Sequence, residues 1–282
     1  MRLAVGRIAL LATCVGLLPH PALADAKGAY LGELAWPEAA VRLKEAPLVV
    51  LPFGAGAKEH GPHLPLNADA RVLEYLCDRA VESQPVVVAP PILHGWFAGF
   101  REFPGTEVAD PDVFEGYVRE VARSLVRQGA RRIVILNTSI RVAAGLPLAI
   151  VARELRAAGT PALLVSWDDL ETPEIKALQE QRAGTHADEI ETSINLFLQP
   201  RLVHMEKAVR DDRGSAKDYP GYEPGIFSRD PNDPAYSETG VFGDPTKATA
   251  EKGRKALAIL TAQWLKALEG FAQAPLREPA KR

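Results

Sequence analysis

The sequence predicts an α/β fold in three layers, α/β/α, with helices on both faces of a mostly parallel central sheet. Three observations predict it. Apolar runs rich in β-branched residues recur at Leu48 to Phe53, Val86 to Ala89, Ile133 to Leu136 and Ala162 to Val165, each of strand length. The stretches between them repeat apolar residues at helical spacing. The strands are nearly continuous in apolar character, as strands buried on both faces must be, and each crossover helix has to pack back onto the sheet.

Taken in chain order, residues 1–24 read as a secretory signal. Arg2 and Arg7 make a positive start, Ile8 to Leu18 an apolar stretch, and Ala22-Leu23-Ala24 a small-x-small cleavage site. The apolar stretch is about half the roughly 20 residues that a spanning helix needs, so no membrane anchor is expected after cleavage. The expected location is periplasmic or secreted. Residues 25–282 then form one domain. The first helix sets Val72, Leu73, Leu76, Cys77, Ala80 and Val81 on one face. The second groups Val113, Phe114, Tyr117, Val118, Val121 and Leu125, and Gly129 can end it. A third runs on to Ala158, before Gly159. Residues at about 205–240, rich in Pro, Gly and charge, suit a long loop that serves as a lid or a subunit-contact arm. The last helix, Thr246 to Phe271, carries Leu257, Leu260, Trp264, Leu265, Leu268 and Phe271 as a stripe that closes the domain.

A hydrophobic fraction of 47% and a charged fraction of 24% belong to a globular chain. The formal charge of −3 becomes −5 once Arg2 and Arg7 leave with the leader, 31 basic against 36 acidic residues. That balance argues against a nucleic-acid binder, which would normally show a basic stripe. Cys14 lies in the leader, so Cys77 is the sole thiol of the mature chain and no intramolecular disulfide is available. No Gly-x-Ser-x-Gly elbow occurs and Cys77 sits on an apolar helix face, which disfavours serine or cysteine nucleophiles.

Ligands in such folds gather at the carboxyl ends of the strands. The loop Gly54 to Asp69 follows one strand, and Asn137 to Arg141 follows another. Within Lys58-Glu59-His60-Gly61-Pro62-His63-Leu64-Pro65-Leu66-Asn67-Ala68-Asp69, two histidines and two carboxylates sit in one loop stiffened by two prolines. Imidazole and carboxylate are the ligands a hydrolytic zinc or manganese ion prefers. The alternative is that His60 and His63 only cap turns and pair with Glu59 and Asp69.

Leu51-Pro52-Phe53-Gly54 through His60-Gly61-Pro62-His63-Leu64-Pro65 to Asp69 resembles the opening motif of creatininase-type amidohydrolases. Phe103-Pro104-Gly105-Thr106, His186-Ala187-Asp188-Glu189-Ile190-Glu191-Thr192-Ser193, and Gly243-Asp244-Pro245 with Ala248-Thr249-Ala250-Glu251-Lys252-Gly253 resemble three further segments of that family, in the family's order. The resemblance implies two divalent ions sharing one aspartate, here Asp69, and a water that attacks an amide or cyclic amide carbon. It makes His60 a ligand of the second ion and His186 a proton shuttle to the leaving nitrogen. It also implies a homo-oligomer, up to a hexamer.

Three positions depart from the family pattern. Lys58 stands where the family has a glutamate ligand, Ser139 where it has a histidine, and Arg141 where one variant has a glutamate. These changes reduce the expectation to one divalent ion, zinc or manganese, or none. They also suggest that Lys58 and Arg141 pair with Asp69 and take over part of an ion's electrostatic role. The candidate metal ligands are therefore His60 and Asp69, and the candidate catalytic residues His186, Glu59, Lys58 and Arg141. His63, Ser139, Trp96 and Phe100 are candidates for binding a small-molecule substrate. Glu189, three residues beyond His186, is expected on the same helix face, with Glu191 in a supporting hydrogen bond. Two functions fit: an exported amidohydrolase of a non-peptide or cyclic carbon–nitrogen bond, or a catalytically silent small-molecule-binding or assembly protein.

Overall fold

The computed structural model describes residues 27–139, 141–211, 227–233 and 236–275. The leader, the Arg141 side chain and the middle of the 205–240 segment lie outside the described residues.

Five strands form one parallel sheet: β1 Ala29–Tyr30, β2 Val49–Phe53, β3 Val87–Val88, β4 Ile133–Asn137 and β5 Ala162–Ser166, in the order β1-β3-β2-β4-β5. The main helices are α1 Trp36–Glu45, α2 Ala68–Ser83, α3 Pro111–Arg127, α4 Arg141–Ala157, α7 Glu189–Leu198 and α8 Ala250–Gln273, with two one-turn helices, α5 Trp167–Leu170 and α6 Pro173–Lys176, between α4 and α7. No helix among the described residues is long and apolar enough to cross a membrane.

Strand residues alternate between two cores, as the pleat requires. Val49, Leu51, Phe53, Ile133 and Ile135 pack with Leu43 of α1, Phe114 and Val118 of α3, and Leu148 and Val151 of α4. Leu48, Val50, Val134, Leu136 and Val165 pack on the other face with Leu73 and Leu76 of α2, Ile190 and Ile194 of α7, and Leu257, Leu260 and Trp264 of α8. This is the predicted α/β/α arrangement.

The topology also places the site. β2 leads into α2 on one face, whereas its neighbour β4 leads into α4 on the other. Loops that part in this way open a crevice at the carboxyl ends of the two strands, the topological switch point where α/β folds bind ligands. The register pairs Phe53 with Asn137 and Asn137 with Ser166, so the three strands end in line.

Some elements differ from expectation. β1 and α1 precede the first predicted strand; β1 is only two residues and carries little sequence pattern. The buried stripe of α3 is Phe114, Val118, Ala122 and Leu125, and Val113 and Tyr117 face outward at 65% and 57% exposure. The last helix begins at Ala250 because Pro245–Lys247 form a tight 3₁₀ turn and the Thr249 side chain caps the α-helix by accepting from Lys252 N.

Candidate active site

The loop between β2 and α2 is tied down along its length. Lys58 N donates to Leu66 O at 3.0 Å, closing the loop on itself, and Glu107 N donates to Ala57 O at 3.0 Å. Glu59 N donates to Thr106 Oγ1 at 3.0 Å, which gives the Phe-Pro-Gly-Thr segment a structural purpose. Gly54 lies so close to β4's exit that an added Cβ would meet Thr138 Oγ1 at 2.7 Å. Lys58, His60 and His63 are all 0% exposed, and Asp69 follows in the first turn of α2.

Around Asp69 the charges converge. Its Oδ1 lies 2.9 Å from His60 Nε2, and its Oδ2 lies 3.0 Å from Lys58 Nζ. Burial pushes the Asp69 carboxyl up, but the neighbouring Lys58 charge, with His60, brings it well below the usual carboxylate range. His60 Nδ1 sits 2.8 Å from the Lys58 carbonyl, which can only accept, so Nδ1 carries the proton. The Nε2 lone pair then faces an anionic oxygen, an arrangement that calls for a cation at that place, a proton or a metal ion. Glu191 completes the group: ligand atoms of His60, Asp69 and Glu191 lie within 4.8 Å of one another.

His186 adjoins this group. Its Nε2 is 3.0 Å from Glu59 Oε2 and its Nδ1 3.9 Å from Glu191 Oε2. The Phe100 ring lies 4.5 Å from the imidazole and the His60 ring 5.3 Å. Burial pushes the Glu59 carboxyl up; the charge and hydrogen bond of His186, the Gly61 N–H and His60 outweigh it, and the carboxyl falls below its ordinary value. Gly240 at φ +71° packs against this carboxylate, which would overlap any Cβ there.

The expectation that His186 opens a helix with Glu189 on its face is corrected. His186 bridges Phe242 in extended backbone, Ala187 takes φ +49°, and the helix is capped by Asp188, which accepts from Ile190 N and Glu191 N at 2.9 and 3.0 Å. Helical spacing therefore does not link His186 to Glu189. Glu189 turns away to Lys252 and to the backbone N–H groups of Glu180 and Gln181, and Glu191 is the carboxylate that enters the site. Burial and the nearby Glu191 push the Asp188 carboxyl up to about 7.

The family model for creatininase, described as creatinine amidohydrolase, matches residues 32–268. The chain belongs to the creatininase family. It is 32% identical over 253 residues to the creatinine amidohydrolase of Pseudomonas putida, covering 83% of this chain and 93% of the relative. It is 30% identical over 219 residues to the mycofactocin precursor peptide peptidase of Mycolicibacterium smegmatis, covering 75% and 80%. A solved manganese form of creatininase and a Zn–Zn form of a creatininase mutant each superpose with a TM-score of 0.71 at 27% identity, covering 88% of this chain and 100% of theirs.

The residues of this creatininase-family site fit a divalent ion. One histidine and two carboxylates are ligands that zinc and manganese accept. Buried polar atoms without a hydrogen bond include Asp69 Oδ2, His186 Nδ1, Lys58 Nζ, His63 Nδ1 and Ser139 Oγ. Of the residues read from the sequence, His60, Asp69, Lys58, Glu59, His186 and Phe100 come together. His63 Nε2 instead bonds Thr192 Oγ1 at 2.8 Å and fastens the loop to α7. Ser139 is buried just beyond β4, its N–H held by Asn137 Oδ1 at 2.9 Å. Trp96 packs against the core of the α3–α4 face with Arg101 5.5 Å above its ring. Phe97 stacks on Phe53 at 6.0 Å within the same core. Cys77 is buried, and its thiol is pushed up to about 12 by that burial, followed by Asp78 and Glu74, which makes it inert.

Proposed function

We propose that this chain hydrolyses a carbon–nitrogen bond in a small amide, non-peptide or cyclic, with a single divalent ion, zinc or manganese, at His60, Asp69 and Glu191. The observation that carries this reading is the meeting of that ligand group with the Glu59–His186 pair at the switch point of the sheet. When bound, a divalent ion supplies Lewis acidity, which polarises a carbonyl and acidifies water.

The protein's own groups supply the rest. The Lys58 carbonyl fixes the His60 tautomer, so that Nε2 presents its lone pair. Asp69 stays ionised beside Lys58 and His60. Glu59 accepts from His186 Nε2, which leaves Nδ1 to take a proton from water and hand it to the leaving nitrogen. Phe100 seats the imidazole, and the burial of all four side chains keeps bulk water away. The leader pattern extends the proposal to export, and the 205–240 segment extends it to self-association.

A second reading, a silent small-molecule-binding protein, is favoured by one observation, the Lys58 ammonium seated on Asp69. The test is turnover of creatinine-like lactams, formamides, short linear amides and short peptides by zinc- or manganese-loaded protein. Hydrolysis of a non-peptide amide, lost with chelator and in His60→Ala or Asp69→Ala, is expected. Turnover of peptides alone would move the reading to peptide bonds. No turnover across the panel would favour the silent protein.

A further inference from the structure

Asp69 presents its two carboxylate oxygens to two different cation positions. Oδ1 belongs to the ligand group, 2.9 Å from His60 Nε2. Oδ2 carries Lys58 Nζ at 3.0 Å, and the two side chains are 0% and 5% exposed. The ammonium also lies 5.2 Å over the Phe100 ring, a face that attracts positive charge. Neither Nζ nor Oδ2 has another hydrogen-bond partner among the described residues, so the two groups depend on each other. A buried ammonium is costly unless an opposite charge is fixed beside it, and Asp69 is that charge. A solved family member in its Zn–Zn form has two metal cations; among the described residues of this chain there is one ligand group of three, with a lysine at its edge.

We propose that the Lys58 ammonium is the second cation of the site, a charge tethered to the chain that neutralises Asp69 Oδ2 in the place of a second divalent ion. This rests on the one-ion reading above. A dication on Oδ2 would meet a like charge that cannot diffuse away, and in a buried setting that repulsion is weakly screened. The same charge weakens the hold on the one ion that does bind, because Lys58 and the ion compete for the field of a single carboxylate.

The test is metal binding by the full chain, with Mn²⁺ alone as the probe. Isothermal titration gives affinity and stoichiometry, elemental analysis after desalting counts the ions, and electron paramagnetic resonance separates single from paired Mn²⁺. Wild type and Lys58→Arg are expected to bind one ion per chain. Lys58→Glu should bind two and show the exchange-coupled signal of a pair. Lys58→Met should keep one ion and bind it on the order of tenfold or more tightly, since the repulsion is gone. Two ions in the wild type, one ion in Lys58→Glu, or unchanged affinity in Lys58→Met overturns the assignment and leaves the metal-dependent function standing. No ion in the wild type overturns both. Circular dichroism reports whether each variant folds, and Lys58→Met decides the matter if Lys58→Glu does not.

Discussion

Glu59 and His63 sit four residues apart in one loop, and the same burial drives them in opposite functional directions. Glu59 overcomes its burial through His186, Gly61 and His60 and stays ionised, which makes it a fixed anion behind the imidazole. Glu59→Gln keeps the shape and removes that anion. The expected result is a fall in kcat of about 10²-fold or more, with Mn²⁺ content and melting temperature close to wild type; an unchanged kcat would show that His186 does not depend on the pair. His63 is drawn down to about 4 from an ordinary 6.5, first by burial, with Glu59 opposing and His60 and His186 adding to it. The unfolded chain therefore binds an extra proton between those values. Its contribution to stability is fully present above pH 6.5 and is lost as the pH falls toward 4, at most roughly 3 kcal/mol. Melting temperatures of wild type and His63→Asn from pH 7.5 down to 4.5 should converge as the pH falls, and parallel curves would reject this account.

At the scale of elements, α7 and α8 decide whether Glu191 reaches the metal group. Gly253 of α8 lies against the Ser193 carbonyl of α7, where any Cβ would overlap backbone. Ser193 Oγ donates to Glu189 O at 2.6 Å and accepts from Thr249 N at 3.1 Å, which locks the two helices in register. Gly253→Ala should cost roughly 1–3 kcal/mol by overpacking and should weaken Mn²⁺ binding as α7 shifts. Urea melts and a metal titration check this together, and wild-type behaviour in both would exclude it. Element patterns were legible where periodicity was regular, as in α2 and α8. They were less so in α3, where neighbouring apolar residues at Val113 and Tyr117 broaden the apparent stripe and only packing selects the buried side. Helical spacing from His186 does not carry over to Glu189, because Ala187, with its positive φ, breaks the helix before it starts.

On the scale of the whole molecule, two cores clamp one sheet, and Trp264 anchors the second of them. Its ring is fully buried and its Nε1 donates to Leu76 O at 3.1 Å across to α2. Trp264→Ala should lose about 3–5 kcal/mol, read as a lower urea midpoint; a shift below 1 kcal/mol would mean the core recloses around the gap. By itself the sequence determined the layered α/β architecture, the family and the loop from Lys58 to Asp69. Those features are written in short-range patterns: apolar runs, helical spacing, and ligands and prolines packed into a few residues. Only the tertiary structure decided that Glu59 meets His186 across 127 residues of chain, that Glu191 rather than Glu189 faces Asp69, and that Lys58 takes one oxygen of that aspartate while His60 takes the other. The first two contacts join the loop after β2 to residues that lead into and lie on α7, brought together by the packing of α7 and α8 against the sheet. The third is set by the fold of the loop itself, closed by Lys58 N on Leu66 O, and no local spacing encodes which oxygen each cation takes.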